Sequence, residues 1–436
     1  MPLVITKWTK ADGKTLNNEE MSRVREPIDE KNDPFARQKL VDWWDQDKIS
    51  SARVLVMGAG AIGNETLKNL ALLGFRQIFI CDMDTIELSN LSRTLLFRPS
   101  DEGREKAAVA AERVREMCLA SDPRVDYFTG DIMFSLGVGI FRYFDIILGC
   151  LDNDATRFYI DKYATVFGKP WINAGISGLF AGFQPIFSER SGTCFHCGVE
   201  DSVITRVMSR KASCGKTAIA DLSVGKIPTI QVASAIVSGW QTQETVKYIT
   251  GKDVAFGNNY YFDGAGNNFT VSHKRPDSAC RHHDFPRIRE VRELHDVTSA
   301  STMADLLASA KRAIGKSVTV DLSDEMGRDF IPTADCVYCG GTVKIGVPHY
   351  RFRDEMAVCP ACRANPPAVE AMDPWVYPVT EYSEESDPAL LAMPLDALGI
   401  PPLHVLRVYD EDENVYYVEL TGDLPIVCLH IFGKSH

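Results

Sequence analysis

The sequence lacks the long apolar runs that membrane proteins need. No stretch approaches the roughly eighteen consecutive apolar residues of a transmembrane helix. Residues 1–20 also lack the apolar core of a secretory signal peptide, because they become polar within the first ten positions. We therefore expect a cytoplasmic protein.

Positive charge is also scarce. The chain carries 47 lysines and arginines against 59 aspartates and glutamates, which gives a formal net charge of −12. Nucleic acids and anionic membranes both favour a basic surface, so this balance disfavours broad binding to either. Acidic residues gather late in the chain, at 381–387 and 410–413, where we expect solvated loops.

The chain does contain a regular alternation of short apolar strands and helical segments. Arg53–Met57 is a β-branched run that ends at Gly58, residues 62–73 have helical spacing, and residues 77–81 form a second apolar run. The alternation continues to about residue 290. It predicts an α/β fold with a Rossmann-like, open and mostly parallel sheet.

The length of 436 residues exceeds one ordinary domain. A further helix is expected at residues 35–47, and the composition changes where a cysteine-rich segment occupies residues 336–362. We expect a polar arm, a Rossmann-like domain and a smaller α+β domain, at residues 1–34, 35–290 and 291–436.

A glycine motif follows the first predicted strand. Gly58, Gly60 and Gly63 fit the spacing GxGxxG between a strand and a helix, where backbone amides can approach a phosphate. Asp82 ends the next strand, and a carboxylate there normally hydrogen-bonds a ribose hydroxyl. The motif predicts a nucleotide site, but by itself it fits a dinucleotide oxidoreductase as well as an ATP-dependent enzyme.

The segments that follow carry a more specific pattern. Residues 82–93, DMDTIELSNLSR, resemble the D-x-D-x-(V/I)-x-x-S-N-L-x-R stretch of the ThiF/MoeB/HesA family, which includes the ubiquitin-activating enzymes. Lys106 within GREKA resembles that family's G-x-x-K-A. Residues 150–157, CLDNDATR, resemble its (C/A)-x-D-N-x-x-x-R, and Arg37 is placed like the arginine of R-Y-x-R-Q. The resemblance spans about residues 35–285.

This resemblance implies a homodimeric adenylating enzyme that uses ATP and Mg²⁺. Arg93 and Lys106 would bind phosphate oxygens as pyrophosphate leaves. Asp152 would hold Mg²⁺, although alone it could equally cap the following helix. Asn90 would bond ribose or phosphate, and Arg37 would reach the ATP of the partner subunit. The implied nucleotide site comprises Gly58, Gly60, Gly63, Asp82, Asp84, Asn90, Arg93, Lys106 and Asp152.

Two matched cysteine pairs lie near the C-terminal third. Cys336 with Cys339, and Cys359 with Cys362, each have the spacing C-x2-C, and 19 residues separate the pairs. Four thiolates at this spacing are typical of a structural zinc ribbon. A redox-active cysteine pair is the alternative.

A second metal site is implied by the family. Cys194 and Cys197 lie where many members carry the first half of a zinc site, and the second half here is Cys280-Arg281-His282-His283. We predict zinc ligation by Cys194, Cys197, Cys280 and His283, with His282 as the fallback fourth ligand. The alternative is that these cysteines are simply buried apolar residues.

Cys214 lies between this cysteine pair and the next long helix, where the superfamily often places a reactive cysteine. Lys211 and Lys216 flank it, and nearby cations favour the thiolate. The resemblance implies a thioester, or an acyl-persulfide, at Cys214. The alternative is a loop cysteine without a catalytic role.

These features predict ATP-dependent adenylation of the C-terminal glycine of a ubiquitin-like protein, followed by transfer to Cys214 as a thioester. The zinc-bearing C-terminal domain resembles appendages of activating enzymes in bacterial ubiquitin-like conjugation and antiviral defence, and could dock a conjugating enzyme. Two alternatives stay open. One is an enzyme that adenylates a sulfur carrier or another small substrate without a thioester, and the other is a nicotinamide-binding Rossmann protein.

Overall fold

The computed structural model describes residues 31–212, 228–323 and 327–431. The chain divides into two compact units, one ending at Asp47 and one beginning at Lys48. In the first unit the helix expected at residues 35–47 is wrong, because only the short 3-10 turn Gln38–Leu40 forms before the backbone extends at Val41. Leu40 and Val41 are exposed. Phe35 is buried, so the apolar spacing covers only part of the face that would have to stabilise a helix there.

An eight-stranded sheet forms the centre of the second unit. Its strands are β1 (Arg53–Met57), β2 (Gln77–Asp82), β3 (Arg124–Thr129), β4 (Ile146–Gly149), β5 (Trp171–Ser177), β6 (Phe180–Ile186), β7 (Asn258–Asp263) and β8 (Asn268–His273). The order across the sheet is β3-β2-β1-β4-β5-β6-β7-β8. Strands β1 to β5 pair in parallel, and β6 to β8 continue the sheet antiparallel. The predicted α/β class with a mostly parallel sheet is confirmed.

Helices connect and cover these strands. They are α1 (Gln46–Ser51), α2 (Ala61–Leu73), α3 (Lys106–Met117), α4 (Asp154–Val166), α5 (Ser188–Ser191), α6 (Asp201–Ala212) and α7 (Gln231–Ile249). Helix α7 packs against α2, β5 and β6. Its buried Gln241 donates hydrogen bonds to the carbonyls of Gly149 and Ile172, which lie on the neighbouring strands β4 and β5. This side chain therefore satisfies buried backbone acceptors on two neighbouring strands.

Two smaller sheets follow. Their strands are β9 (Arg292–Glu293), β10 (Val318–Asp321), β11 (Phe330–Asp335), β12 (Thr342–Pro348), β13 (Val376–Val379), β14 (Glu381–Tyr382), β15 (Val405–Asp410) and β16 (Val415–Glu419). The five-stranded sheet has the order β14-β10-β15-β16-β9, and the three-stranded sheet has the order β12-β11-β13. The helices here are α8 (Met303–Ile314), α9 (Pro360–Ala364), α10 (Pro388–Leu391) and α11 (Leu424–Val427).

Residues near the C-terminal end of the described chain share a core with the large sheet. Leu403 and Cys428 are fully buried in the same apolar cluster as Leu55 and Phe79, which belong to β1 and β2. The backbone amide of His430 also donates to the carboxylate of Asp126 on β3. The domain boundary near residue 290 therefore stays a prediction: the second sheet begins just after it, yet later residues return to the first core.

None of the helices within residues 31–212, 228–323 and 327–431 is both long enough and apolar enough to cross a bilayer.

Candidate nucleotide site and metal centres

The glycine loop between β1 and α2 is built by two close backbone approaches. Gly58 has a φ of +98°, and a Cβ there would lie 2.4 Å from the carbonyl oxygen of Cys150. A Cβ on Gly63 would lie 2.0 Å from the carbonyl oxygen of Gly58. Gly60 differs, because a Cβ there would meet no heavy atom within 4 Å. Gly58 and Gly63 are thus needed by the fold, whereas Gly60 faces open space.

The loop presents the amino end of α2. Gly60 is the N-cap of this helix and has no side chain to satisfy the first amides. Those amides and the helix dipole favour an anion at this end. The side chain of Asn64 holds the loop, because it donates to the carbonyls of Ala59 and Gly60.

Asp82 supports the same loop from β2. Its Oδ2 accepts a hydrogen bond from the Ala59 amide at 2.6 Å, and its Oδ1 accepts from the Asp84 amide at 2.8 Å. Burial raises the pKa of Asp82 despite these bonds. The predicted ribose contact thus falls on a carboxylate that already fixes the glycine loop.

The basic side chains predicted to bind phosphate lie beside this loop. Lys106 is only 11% exposed, and its Nζ lies 2.8 Å from a carboxylate oxygen of Asp84. Arg93 is half-buried, and its Nη1 donates to the carbonyl of Ser89 at 2.6 Å. Asn90 is buried, and its Oδ1 accepts from the Glu87 amide. The Lys106–Asp84 pair places one cation and one carboxylate at the same point of the site.

Asp152 follows β4, at the edge of the sheet where β1 also ends. The alternative that Asp152 caps the following helix is wrong, because the cap of α4 is Asn153, whose Oδ1 accepts from the Thr156 amide at 2.9 Å. The Asp152 side chain is exposed, and no hydrogen bond or ion pair with another described residue engages its carboxylate. This carboxylate is therefore accessible to a cation.

One cavity of about 900 Å³ connects these groups. Gly63 lies behind the loop and does not line the cavity. Arg37 belongs to the first unit, where it precedes the turn Gln38–Leu40. Cys214 lies outside the described residues. The sequence-predicted residues that line the cavity are Gly58, Gly60, Asp82, Asp84, Asn90, Arg93, Lys106 and Asp152.

Sequence reasoning missed two polar side chains in this cavity. Asn173 on β5 and Gln184 on β6 are cross-strand partners. The Oδ1 of Asn173 and the Nε2 of Gln184 are buried without a hydrogen-bond partner among the described residues. Both line the cavity. A lone polar residue within an apolar strand is the signal that could have identified them, because buried polar atoms are normally paired.

Cys150 also lines the cavity. Burial raises the pKa of its thiol to about 12, so it stays protonated and is a poor nucleophile. The thiol contacts Thr66 and Gln241 instead. It is a packing residue, as are the buried Cys81 and Cys428.

A four-residue cluster lies where the family-implied metal site was expected. The Sγ of Cys194 lies 3.6 Å from that of Cys197 and 3.7 Å from that of Cys280. The Nε2 of His283 lies 3.3 Å from both Cys194 Sγ and Cys197 Sγ. Zinc–sulfur bonds of about 2.3 Å in a tetrahedron place sulfurs about 3.8 Å apart. This donor set therefore fits zinc, which would be held by these four residues.

His282, the fallback ligand, points elsewhere. It stacks on His196 with ring centroids 3.6 Å apart, and its Nε2 lies 3.5 Å from Asp161. Asp161 also accepts from His196 Nδ1 at 2.6 Å and from the indole of Trp171. Burial would raise the pKa of Asp161, but the hydrogen bond and charge of His196 hold it well below the usual range. This group connects the cysteine cluster to α4 and β5.

The second cysteine cluster lies beside the three-stranded sheet. Cys336 and Cys339 occupy the turn between β11 and β12, and Cys359 caps α9. The Sγ atoms of Cys339 and Cys359 are 3.7 Å apart. A hydrogen bond from the Cys359 amide lowers the pKa of the Cys336 thiol to about 6, which favours the thiolate that binds metal. With Cys362 these residues form a donor set that fits zinc.

The fold and the cavity together define a Rossmann-like nucleotide-binding protein. A model of the family described as "ThiF family" matches residues 35–282. The chain therefore belongs to the ThiF family, and the predicted family is confirmed.

Curated relatives match over shorter stretches. The chain is 37% identical over 154 residues to "SUMO-activating enzyme subunit uba-2" of Caenorhabditis elegans, which is 35% of this chain and 26% of that protein. It is 32% identical over 199 residues to "Adenylyltransferase and sulfurtransferase uba4" of Aspergillus fumigatus, which is 43% of this chain and 39% of that protein. The chain thus spans well under half the length of these relatives.

Among solved structures, a more distant match is found. A crystal structure of E. coli MccB with ATP is 20% identical with a TM-score of 0.48, and the alignment covers 58% of this chain and 75% of that chain.

Proposed function

We propose that this chain transfers AMP from ATP to the C-terminal carboxylate of a small ubiquitin-like or sulfur-carrier protein. The observation that carries the proposal is that the glycine loop, Arg93, Lys106 and Asp152 line one cavity at the carboxyl edge of the parallel strands. The curated relatives are named as SUMO-activating and adenylyltransferase proteins, which supports the same chemistry here.

In the proposed reaction, a carboxylate oxygen attacks the α-phosphorus while the bond to pyrophosphate breaks. Negative charge grows on the leaving phosphates, and the cations of Lys106 and Arg93 would stabilise it. Asp152 would hold Mg²⁺, which would neutralise further phosphate charge when bound. The amides at the start of α2 would bind phosphate oxygens. Such a reaction needs positioning and electrostatics but no general base on the protein.

In this proposal, the Lys106 ammonium leaves the Asp84 carboxylate and pairs with the bound triphosphate. The Lys106 Nζ is held by Asp84, which also lines the cavity. Bound triphosphate would compete for the ammonium and leave Asp84 available for Mg²⁺ or ribose. Gln184 and Asn173 would supply a donor and an acceptor to ligand atoms, since both have buried atoms without a partner among the described residues.

Transfer of the acyl group to Cys214 is the second proposed step. The thiolate would attack the acyl-adenylate, form a thioester and release AMP. Support comes from the flanking Lys211 and Lys216 in the sequence and from the high pKa of Cys150, the cysteine that lines the cavity. A homodimer in which Arg37 reaches the partner's ATP, and docking of a conjugating enzyme on the C-terminal region, belong to the same proposal.

ATP–pyrophosphate exchange, measured with a candidate glycine-ending partner, tests the adenylation step. Asp152→Asn should lower exchange at least a hundredfold, because the cation-binding charge is lost. Asp253→Asn is the matched control, since this exposed aspartate does not line the cavity. Undiminished exchange in Asp152→Asn would refute the assigned site. Tight NADH binding without exchange would favour the nicotinamide alternative.

A further inference from the structure

A second cavity, larger than the nucleotide cavity, lies between the first cysteine cluster and the three-stranded sheet. Its volume is about 1220 Å³, above the usual upper limit of about 1,000 Å³ for small-molecule clefts. None of the residues that line it also lines the nucleotide cavity, among the residues the structure describes. The mechanism proposed above leaves this cleft unused.

The cleft has an aromatic floor. Phe158 on α4 and Phe285 come from the Rossmann-like part of the chain, while Tyr350 and Phe352 come from the segment after β12. Tyr350 is fixed by stacking on Phe134, with ring centroids 4.4 Å apart. Such a floor offers apolar contacts in a fixed geometry.

The lining of the cleft is acidic. Seven aspartates and glutamates line it against three lysines and arginines. The cations are already engaged: Arg281 pairs with Asp201, Lys162 lies 4.5 Å from the Phe285 ring, and Arg353 donates to backbone carbonyls.

Two of the carboxylates form no ion pair among the described residues, although Arg363 donates to the backbone carbonyl of one of them, Glu355. Glu355 and Asp373 are exposed, and neither forms an ion pair with another described residue. The two segments that carry these carboxylates are both hydrogen-bonded to Val337. The Val337 amide donates to the carbonyl of Ala357, two residues after Glu355, and the Val337 carbonyl accepts from the amide of Met372, next to Asp373. The cleft is therefore lined both by aromatic side chains and by two carboxylates that form no ion pair with another described residue.

Exposed apolar side chains lie in the two segments that carry Glu355 and Asp373. Met356 is 39% exposed, Met372 is 60% exposed and Trp375 is 69% exposed. Each adjoins in sequence a residue that lines the cleft. Methionine and tryptophan are enriched where proteins bind one another and depleted on ordinary surfaces.

We propose that this cleft binds an extended polypeptide segment of a partner protein that carries arginine or lysine between apolar residues. The apolar side chains would lie on the aromatic floor, and the cations would pair with Glu355 and Asp373. The size of the cleft favours a polypeptide over a small ligand, and its charge excludes a nucleic acid. This proposal does not depend on the proposed adenylation, because the two cavities are separate.

Fluorescence anisotropy with two synthetic peptides tests the proposal on the full chain. The probe is a labelled heptapeptide of glycine, arginine and leucine, and the control peptide replaces each arginine with glutamate. We expect the arginine peptide to bind at least tenfold more tightly, with an affinity that falls as salt is added.

Charge-reversal variants locate the binding site. Glu355→Lys and Asp373→Lys should each weaken binding of the arginine peptide about tenfold, because an attraction becomes a repulsion. Glu411→Lys makes the same charge change on the exposed β15–β16 turn, outside the cleft, and should leave binding unchanged. All three residues are exposed, so the fold should be retained. Hydrogen exchange should slow at residues 349–355 and 372–376 when the peptide is bound.

Three results would overturn the proposal. The first is equal affinity for the two peptides, and the second is wild-type affinity in Glu355→Lys and Asp373→Lys. The third is concentration-dependent dimerisation that these two variants abolish in sedimentation, which would assign the cleft to a second copy of the chain instead.

Discussion

Gly58→Ala and Gly60→Ala form a matched pair of substitutions within one loop. Gly58 has a φ of +98°, and an added methyl would lie 2.4 Å from the backbone oxygen of Cys150. Gly60 has a φ of −74°, and an added methyl there would meet no heavy atom within 4 Å. The added methyl group therefore strains the protein at position 58, whereas at position 60 it only occupies space in the cavity.

The free energy of unfolding that each substitution costs follows from these contacts. A left-handed backbone costs an alanine about 1–2 kcal/mol, and moving the strand end away from the methyl adds about 1–2 kcal/mol more. Gly58→Ala should therefore cost about 3 kcal/mol. For a unit of roughly 400 residues the unfolding entropy is about 0.8 kcal/mol per kelvin, so Tm should fall by about 4 °C. Gly60→Ala should cost less than about 1 kcal/mol, the value of a glycine N-cap.

Thermal unfolding and calorimetric ATP titration separate the two roles. Gly58→Ala should lower Tm, whereas Gly60→Ala should keep Tm within about 1 °C. Gly60→Ala should nevertheless weaken ATP binding at least tenfold, because its methyl occupies the space next to the helix amides. An unchanged Tm in Gly58→Ala, or wild-type ATP affinity in Gly60→Ala, would refute this reading of the loop.

Other substitutions test the metal and polar groups. His283→Ala should remove one zinc ion per chain by elemental analysis while His282→Ala retains it, and equal contents would contradict the ligand assignment. Asp329 raises the pKa of His349 above 6.5, so this pair stabilises the fold fully below pH 6.5 and loses its effect as pH rises through the folded pKa. Denaturant unfolding between about pH 5.5 and 8.5 should show this decline in the free energy of unfolding. Asp329→Asn should abolish the decline. Gln184→Met should keep or raise Tm, because it removes a buried unpaired donor, yet weaken ATP binding; unchanged binding would exclude it from the site.

The central βαβ unit could be predicted from sequence because its signals are local. β-branched residues at 53–57 form a buried strand, and the glycines that follow are demanded by backbone contacts within the same unit. The helix expected at residues 35–47 failed for the opposite reason. Apolar spacing predicts a helix only where another surface covers the apolar face, and Leu40 and Val41 are exposed.

The polar details of the site needed the three-dimensional structure. That Asn153, and not Asp152, caps α4 depends on backbone geometry at the end of β4. Asn173 and Gln184 face each other across β5 and β6, and strand register is a long-range property. The sequence predicted His283 as the candidate zinc ligand with His282 as the fallback, and the structure adds where the His282 ring lies, against Asp161 and His196.

The adenylation claim is tested most directly by mass spectrometry of the partner. The full chain is mixed with MgATP and a small glycine-ending β-grasp protein, the reaction is quenched in acid, and intact masses are measured. The account predicts that the partner gains the mass of one AMP, that Asp152→Asn prevents this gain, and that a partner without its terminal glycine shows none. A partner that, for every such protein the enzyme binds, neither gains the mass of AMP nor forms an adduct with the wild-type enzyme would contradict the account.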